Sequence, residues 1–401
     1  MKIMHISDLH IGMKLKGFDL TNDIENALEQ VISILKKEKV ECLIIAGDIY
    51  DKSVPTDISF NVLDSFLNKL VDENIITFII AGNHDSKEKL GYAKEILKNQ
   101  KIYISNNYDK CMDKITLNDE YGNINFYMLP FFKNSEIRKI FEINSNKDEE
   151  YFERLYEVSV KLGYDKEKEV DKLVKFYTDI NLSYKAILEL EDINIDERNI
   201  IISHQFIKKA SLSDSELKFI GGLEEIDANV FEKFDYVALG HLHRPQKVLK
   251  DTIRYSGTLI PFSISEKNNN NSVVILNLKE KENIDINFVK INPLRKIKVF
   301  EINDYKTLDD IIENNYKTND FVYFKFLNKF DDENIINKIS VAFPNLIGYD
   351  IIKESEIENI ENINLNINPF ELYLMYYESQ IGYSLDDEAK EYLKKIIYNE
   401  D

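Results

Sequence analysis

The chain has 401 residues, of which 44% are hydrophobic and 30% charged, and a formal net charge of -20. The length leaves room for two or three domains around a large core, while the acidity argues against capture of nucleic acid by bulk charge. A nuclease is not excluded, because bound divalent cations, a local basic patch or a basic partner can each supply the missing positive charge.

From the N-terminus, "KIMHIS" reads as a strand and residues from about Asn22 to Lys37 as an amphipathic helix. "ECLIIAGD" reads as a buried strand, Asp57 to Val71 as a helix, and "ITFIIAGNHD" as another buried strand. This βαβαβ pattern implies an α/β fold whose strands are covered by helices. "INFYMLP", "NIIISHQ" and "FDYVALGH" continue the strand series, and "TIRYSG", "NSVVILNL" and "NIDINFV" are short strands suited to antiparallel pairing. Between them, a charge-rich helical insertion at about 147–190 reads as a solvated face. Cys42 and Cys111 lie far apart and outside any CxxC, which excludes a disulfide framework or a zinc ribbon. No apolar run approaches the ~18 residues of a membrane span, and "MKIMHISDLH" is polar too early for a signal peptide. No membrane association and a reducing cytoplasm are expected.

Composition shifts at "INPLRKIKVFEI", after which strand, helix, strand, helix and strand follow one another. The domains expected are therefore 1–292, an α/β unit at 293–354, a polar linker at 355–368 and a helical pair at 369–401.

The chemistry-bearing residues collect at strand ends. Asp8 and His10 follow the first strand, Asp48 the second, and Asn83, His84 and Asp85 the third; His204 follows a later strand, as do His241 and His243. In an open α/β sheet, ligands bind outside the carboxyl ends of the strands. On an extended segment, residues i and i+2 face the same side, so Asp8 with His10 and His241 with His243 can each aim two groups at one point. Imidazoles, carboxylates and an amide oxygen, without a thiolate, suit Mn²⁺, Zn²⁺ or Fe²⁺. Six or seven ligands exceed one ion's needs, so two ions are expected, bridged by Asp48, beside which the small Gly47 lets a crowded centre close in. Any one of these motifs could be a chance match. Five of the six histidines, each after an apolar strand, in the order DxH, GD, GNHD, H, GHxH, could not. His5, inside the first strand, is expected to be a core residue or a support for the ligands.

The ordered set resembles the calcineurin-like metallophosphoesterase superfamily. That resemblance implies a metallophosphoesterase β-sandwich with flanking helices, with one ion on Asp8, His10, Asp48 and His243 and the other on Asp48, Asn83, His204 and His241. It implies His84 as the catalytic histidine and Asp85 as its orienting carboxylate. Protein phosphatases of the superfamily carry GDxxDRG, whereas this chain has "GDIYDKSVPT", with Lys52 and Ser53 in place of Arg-Gly. "MHISDLHIG", "HQF", "GGLEEID", "FDYVALGHLHRPQ" and "RYSGTLIPFSISE" are instead similar to the SbcD-type nucleases of bacterial SbcCD complexes. The likeness extends to the unit at 293–354, which is similar in placement to that family's DNA-capping domain, and to the terminal helices, which are similar to its docking segment for an SbcC-like coiled-coil ATPase.

What this resemblance implies is a DNA exonuclease and endonuclease with two divalent ions, Mn²⁺ foremost and Mg²⁺ next, working as a homodimer beside the ATPase in DNA repair, recombination and replication. A small-molecule nucleotide phosphodiesterase is the alternative. Lys52, Lys87, Lys89, Arg244 and Lys247 flank the ligands and could meet DNA phosphates. Phe370, Tyr373, Tyr376, Tyr377, Leu393, Ile396 and Ile397 form apolar stripes that a linker-tethered helix pair cannot bury alone, so a partner surface is expected there.

Overall fold

The computed structural model describes residues 1–211, 224–328, 330 and 334–351, with scattered positions between 370 and 394. Two six-stranded sheets stack face to face. The first runs Ile284–Lys290, Ser272–Leu278, Lys2–Ile6, Cys42–Ala46, Ile76–Ile80 and Ile102–Ser105. The second runs Gln246–Val248, Lys250–Tyr255, Tyr236–Gly240, Arg198–His204, Gly122–Leu129 and Asp113–Asp119. The central strands of each sheet are parallel, and antiparallel pairing is confined to the flanks. The segment "TIRYSG", expected to pair antiparallel, does so with Gln246–Val248 but pairs parallel with Tyr236–Gly240.

Alternation of side chains along each strand decides what fills the three apolar layers. Ile3, Ile44, Phe78 and Ile80 of the first sheet meet Phe126, Ile200, Ile202 and Ala238 of the second, and this layer is the sandwich interior. The opposite face of the first sheet, with Met4, Ile6, Leu43 and Ile45, is covered by helices Thr21–Glu38 and Asp57–Asp72. The first of these presents Ile24, Leu28, Val31, Ile32 and Leu35, the stripe of a period near 3.6 residues, and stops where Lys39 turns left-handed at φ 54°. The second starts at Thr56, whose hydroxyl accepts from the Ser59 N–H at 3.2 Å.

The outer face of the second sheet is covered by helices Asn134–Lys147, Glu149–Lys161, Val170–Phe176 and Ile180–Leu190. This layer begins at Asn134, ahead of the charge-rich stretch, and it is more than a solvated face. Phe141, Leu155, Tyr177 and Tyr184 are fully buried in the apolar cluster that these helices share with the sheet.

A smaller unit follows the sandwich. Strands Ile297–Ile302, Phe321–Phe326 and Leu346–Ile351 form a parallel sheet, with helices Tyr305–Asn315 and Ile335–Ala342 in the connections. It has its own core, including Leu308, Phe324 and Ile339. Phe321 and Ile347 also join the apolar cluster of the first sheet's helices. Arg295 fastens the junction: its Nε donates to Asp23 Oδ2 at 3.0 Å, and its guanidinium lies 4.3 Å from the Phe321 ring centre. Among the described residues, no helix is long and apolar enough to cross a membrane.

Candidate metal centre

The first and second strands of the chain's N-terminal βαβ unit pair parallel, with Ile6 opposite Ile45. The loops beyond them continue that pairing. Asp8 N–H donates to the Gly47 carbonyl and His10 N–H to the Asp48 carbonyl, each at 3.0 Å. The chain is not extended here, contrary to the expectation from i, i+2 spacing. Asp8, His10 and Asp48 all have positive φ, at 53°, 44° and 51°, as does His241 at 102°. Such conformations cost energy in non-glycine residues and persist only where the surroundings impose them. Here the interloop bonds impose them, and the result is that the side chains converge.

In the second sheet Gly240 lies opposite His204, so the "GHLH" segment leaves its strand beside the His204 ring. A Cβ on Gly240 would sit 1.8 Å from the Ala46 carbonyl, and one on Gly47 would sit 2.3 Å from His204 Nδ1. Only glycine lets the two sheets approach this closely at their carboxyl ends.

All seven expected ligands meet at this point. One group joins Asp8, His10 and His243, whose ligand atoms lie within 4.8 Å of one another. His10 Nε2 and His243 Nε2 are 3.1 Å apart. A second group forms around Asn83 Oδ1, which lies 3.0 Å from His204 Nε2 and 2.8 Å from His241 Nδ1. Asp48 stands between the groups, its Oδ2 3.7 Å from His10 Nε2 and 3.3 Å from His204 Nε2. The donor set fits divalent transition ions: ring nitrogens and carboxylate and amide oxygens crowd together at distances a cation would relieve.

The electrostatics agree. Burial, helped by the other imidazoles, holds His10 well below the ordinary histidine range, and burial followed by His204 takes His241 down to about 3. For Asp48, burial pushes upward, but His204 and His10 outweigh it and keep the carboxylate ionised. His204 shows the reverse balance: burial pushes down, Asp48 prevails, and the ring is raised to about 9. Burial raises Asp8 to about 6. The orienting contacts are in place too. His204 Nδ1 meets the Ala46 carbonyl at 2.8 Å, and the His241 N–H donates to Asp8 Oδ1 at 2.9 Å.

His84 sits beside this set, its ring centre 4.9 Å from that of His10. Its backbone N–H donates to Asp48 Oδ1 at 2.9 Å, and its Nδ1 meets the Asp51 carbonyl at 2.8 Å. Asp85, expected to orient His84, is held by the backbone. Its carboxylate accepts from the N–H groups of Ile49 at 3.1 Å, Tyr50 at 2.9 Å and Gly82 at 2.9 Å. It ties the Asp48 loop to the Asn83 loop, because three backbone donors turned inward need an acceptor there. His5 Nδ1 bonds the Tyr236 hydroxyl at 3.0 Å inside the sandwich, which makes it the core residue of the two roles expected for it.

Sequence reasoning passed over two neighbours. Phe131 stacks on the His241 ring at 6.3 Å. Glu266, fully buried, lies with Oε1 3.1 Å from His243 Nδ1. The only signal for Glu266 was its place at the end of "RYSGTLIPFSISE".

Of the lysines and arginine flanking the site, Lys52 and Arg244 are exposed. Lys87 pairs with Glu136 at 3.2 Å, Lys247 pairs with Asp251 at 2.8 Å, and Lys89 Nζ donates to the Ser53 carbonyl at 2.9 Å. In the tail, Phe370, Tyr377 and Leu393 occupy helical positions, whereas Tyr373, Tyr376, Ile396 and Ile397 lie outside the described residues, as does the linker at 355–368.

Comparison with known proteins places this centre in a family. The chain is 29% identical over 372 residues to the D component of the SbcCD nuclease of Staphylococcus epidermidis, covering 91% of this chain and 89% of that protein. It is 27% identical over 404 residues to the same component of the Staphylococcus saprophyticus nuclease, covering 99% and 98%. The calcineurin-like phosphoesterase family model matches residues 1–245, the span that carries every strand-end motif of the centre. With that match over more than half its length, the chain belongs to the calcineurin-like phosphoesterases.

Proposed function

We propose that this protein is the metal-dependent nuclease component of an SbcCD-type complex, hydrolysing DNA phosphodiesters beside a coiled-coil ATPase of the SbcC kind. The observation that carries the reading is the position of Asp48 between two ligand groups, within a chain similar over almost its whole length to SbcCD nuclease components. Two divalent cations, when bound, activate a water for attack on phosphorus and offset the charge that builds on the phosphoryl oxygens. Asp8, His10 and His243 would hold one, Asn83, His204 and His241 the other, and Asp48 both; Mn²⁺ suits the mixed nitrogen and oxygen donors. His84 would act on the phosphoester itself. With Nδ1 held by the Asp51 carbonyl, Nε2 is the nitrogen through which the ring would steady the phosphate or deliver a proton to the leaving oxygen.

The absence of an Arg-Gly after "GDIYD" supports a diester over a phosphomonoester substrate. Lys52 and Arg244, beside the ligands in sequence, are the side chains best placed to meet DNA phosphates. Such contacts carry no sequence information, so the enzyme would read ends and structure. A homodimer is supported by Val54, Ile58, Tyr92 and Ile96, which are 71%, 61%, 83% and 69% exposed. They stand on two segments tied together through Lys89 and Ser53. The unit at 293–354 would cap the DNA and the residues at 369–401 would dock on the ATPase. Two free cysteines accord with work in the cytoplasm.

The test is cleavage of linear duplex and single-stranded DNA with Mn²⁺, with and without the ATPase and ATP. Metal-dependent cutting that the partner and ATP extend on duplex ends is expected. Cleavage confined to free nucleotides and unaffected by deleting residues 369–401 would refute the reading.

A further inference from the structure

Glu266 is a buried acidic side chain to which the chemistry above gives no role. It sits in the short 3-10 turn Ile264–Asn268. Its Oε2 accepts from the Phe262 N–H at 2.9 Å, and its Oε1 accepts from the Ser263 hydroxyl at 2.9 Å and faces His243 Nδ1 at 3.1 Å. A carboxylate can only accept, so His243 must carry its proton on Nδ1, and Nε2 is left with a lone pair. That Nε2 is the atom facing His10 Nε2 at 3.1 Å. The turn is also held from outside. Ile264 packs in one apolar cluster with Ile297, Phe321, Tyr323 and Ile347 of the small domain. The carboxylate therefore has little freedom to follow a ring that moves.

We propose that Glu266 is a positioning residue for the metal centre, fixing the tautomer and orientation of His243 so that Nε2 serves the ion shared with Asp8 and His10. The inference rests on the two-metal reading above and adds a residue outside every strand-end motif. Its physical basis is general: an imidazole ligand is made more basic and is held in register when its other nitrogen donates to a carboxylate. The effect belongs to one ion. On the other side of the centre, His204 is oriented by the Ala46 carbonyl, and Asn83 meets His204 and His241.

Mn²⁺ titration of the full chain by calorimetry tests this. Wild type should take up two ions. Glu266→Gln presents an amide to a site built from donors, and should weaken one ion about 10–100-fold while sparing the other. His243→Ala should weaken the same ion, and the double variant should lose little more than His243→Ala alone, because the glutamate acts through that ring. Equal weakening of both ions, unchanged binding, or additive losses would each overturn the proposal. Should Glu266→Gln fail to fold by circular dichroism, Glu266→Asp, which keeps the charge but withdraws it, is read by the same criteria. Fewer than two ions on the wild type would sink the reading of the centre instead; in that case the Glu266 proposal stands or falls on the one ion bound.

Discussion

His204 Nε2 lies 3.3 Å from Asp48 Oδ2 while Nδ1 of the same ring meets the Ala46 carbonyl at 2.8 Å. The imidazole is thus gripped by the strand Cys42–Ala46 on one side and offered to its strand-end carboxylate on the other. Asp48 in turn faces His10 Nε2 at 3.7 Å. Replacing Asp48 by Asn removes the one charge both groups share. Metal content should fall at both sites, and hydrolysis of a model phosphodiester should drop by at least about 10²–10³-fold, the scale of losing one positioned electrostatic group. Retention of both ions in metal analysis would contradict a bridging role.

His84→Ala should behave differently. The ring meets the Asp51 carbonyl, and the bond to Asp48 runs through the His84 backbone, which alanine keeps. Both ions should stay while turnover falls about 10²–10⁴-fold, the range for removing a positioned acid or base. Metal loss in step with activity loss would make His84 a ligand.

Metal affinity should depend on pH in one direction. In the metal-free protein Asp48 outweighs burial and raises His204 to about 9, so a cation must displace its proton at any pH below that value. Burial raises Asp8 to about 6, adding a second proton to displace in more acid solution. Affinity should therefore weaken as pH falls from about 9 to about 6, by about tenfold per unit for each proton released, and more steeply below that range. Calorimetry in buffers of different ionisation heat counts those protons. Affinity that is flat across this range would refute the proton competition.

Asp85→Ala should act on stability ahead of chemistry. It strips the acceptor from the N–H groups of Ile49, Tyr50 and Gly82, and each buried donor left unpaired costs about 1–3 kcal/mol. Thermal unfolding of the metal-free protein should show a clear fall in midpoint. A variant as stable as wild type that had lost only activity would return Asp85 to the catalytic role expected from the sequence.

If a second copy covers Val54, Ile58, Tyr92 and Ile96, a charge placed there should separate the protomers. Ile58→Asp is expected to halve the mass seen by light scattering and to leave metal content unchanged, because Ile58 is 61% exposed and is none of the ligands. An unchanged mass, or a wild type that is already monomeric, would remove this surface from consideration.

Residue order was enough to locate the strands that carry the centre, the helices on the first sheet and the seven residues that meet there, but not the flanking strands Ile102–Ser105, Asp113–Asp119 and Gln246–Val248. That much was legible because imidazoles and carboxylates directly after apolar runs are rare, and the end of a buried strand is where a polar side chain leaves the core at a fixed point. Other features arose only on folding. Convergence of Asp8, His10, Asp48 and His241 comes from left-handed backbone imposed by bonds between loops, where spacing alone suggested an extended segment. The inward face of the helices from Asn134 to Leu190 depends on the second sheet they cover. Asp85 and Glu266 give no hint in sequence of their separate tasks, one acidic residue beside a histidine and one far from any. Which holds a backbone and which holds a ring is set by the donors that each meets once buried, and those donors come from distant parts of the chain.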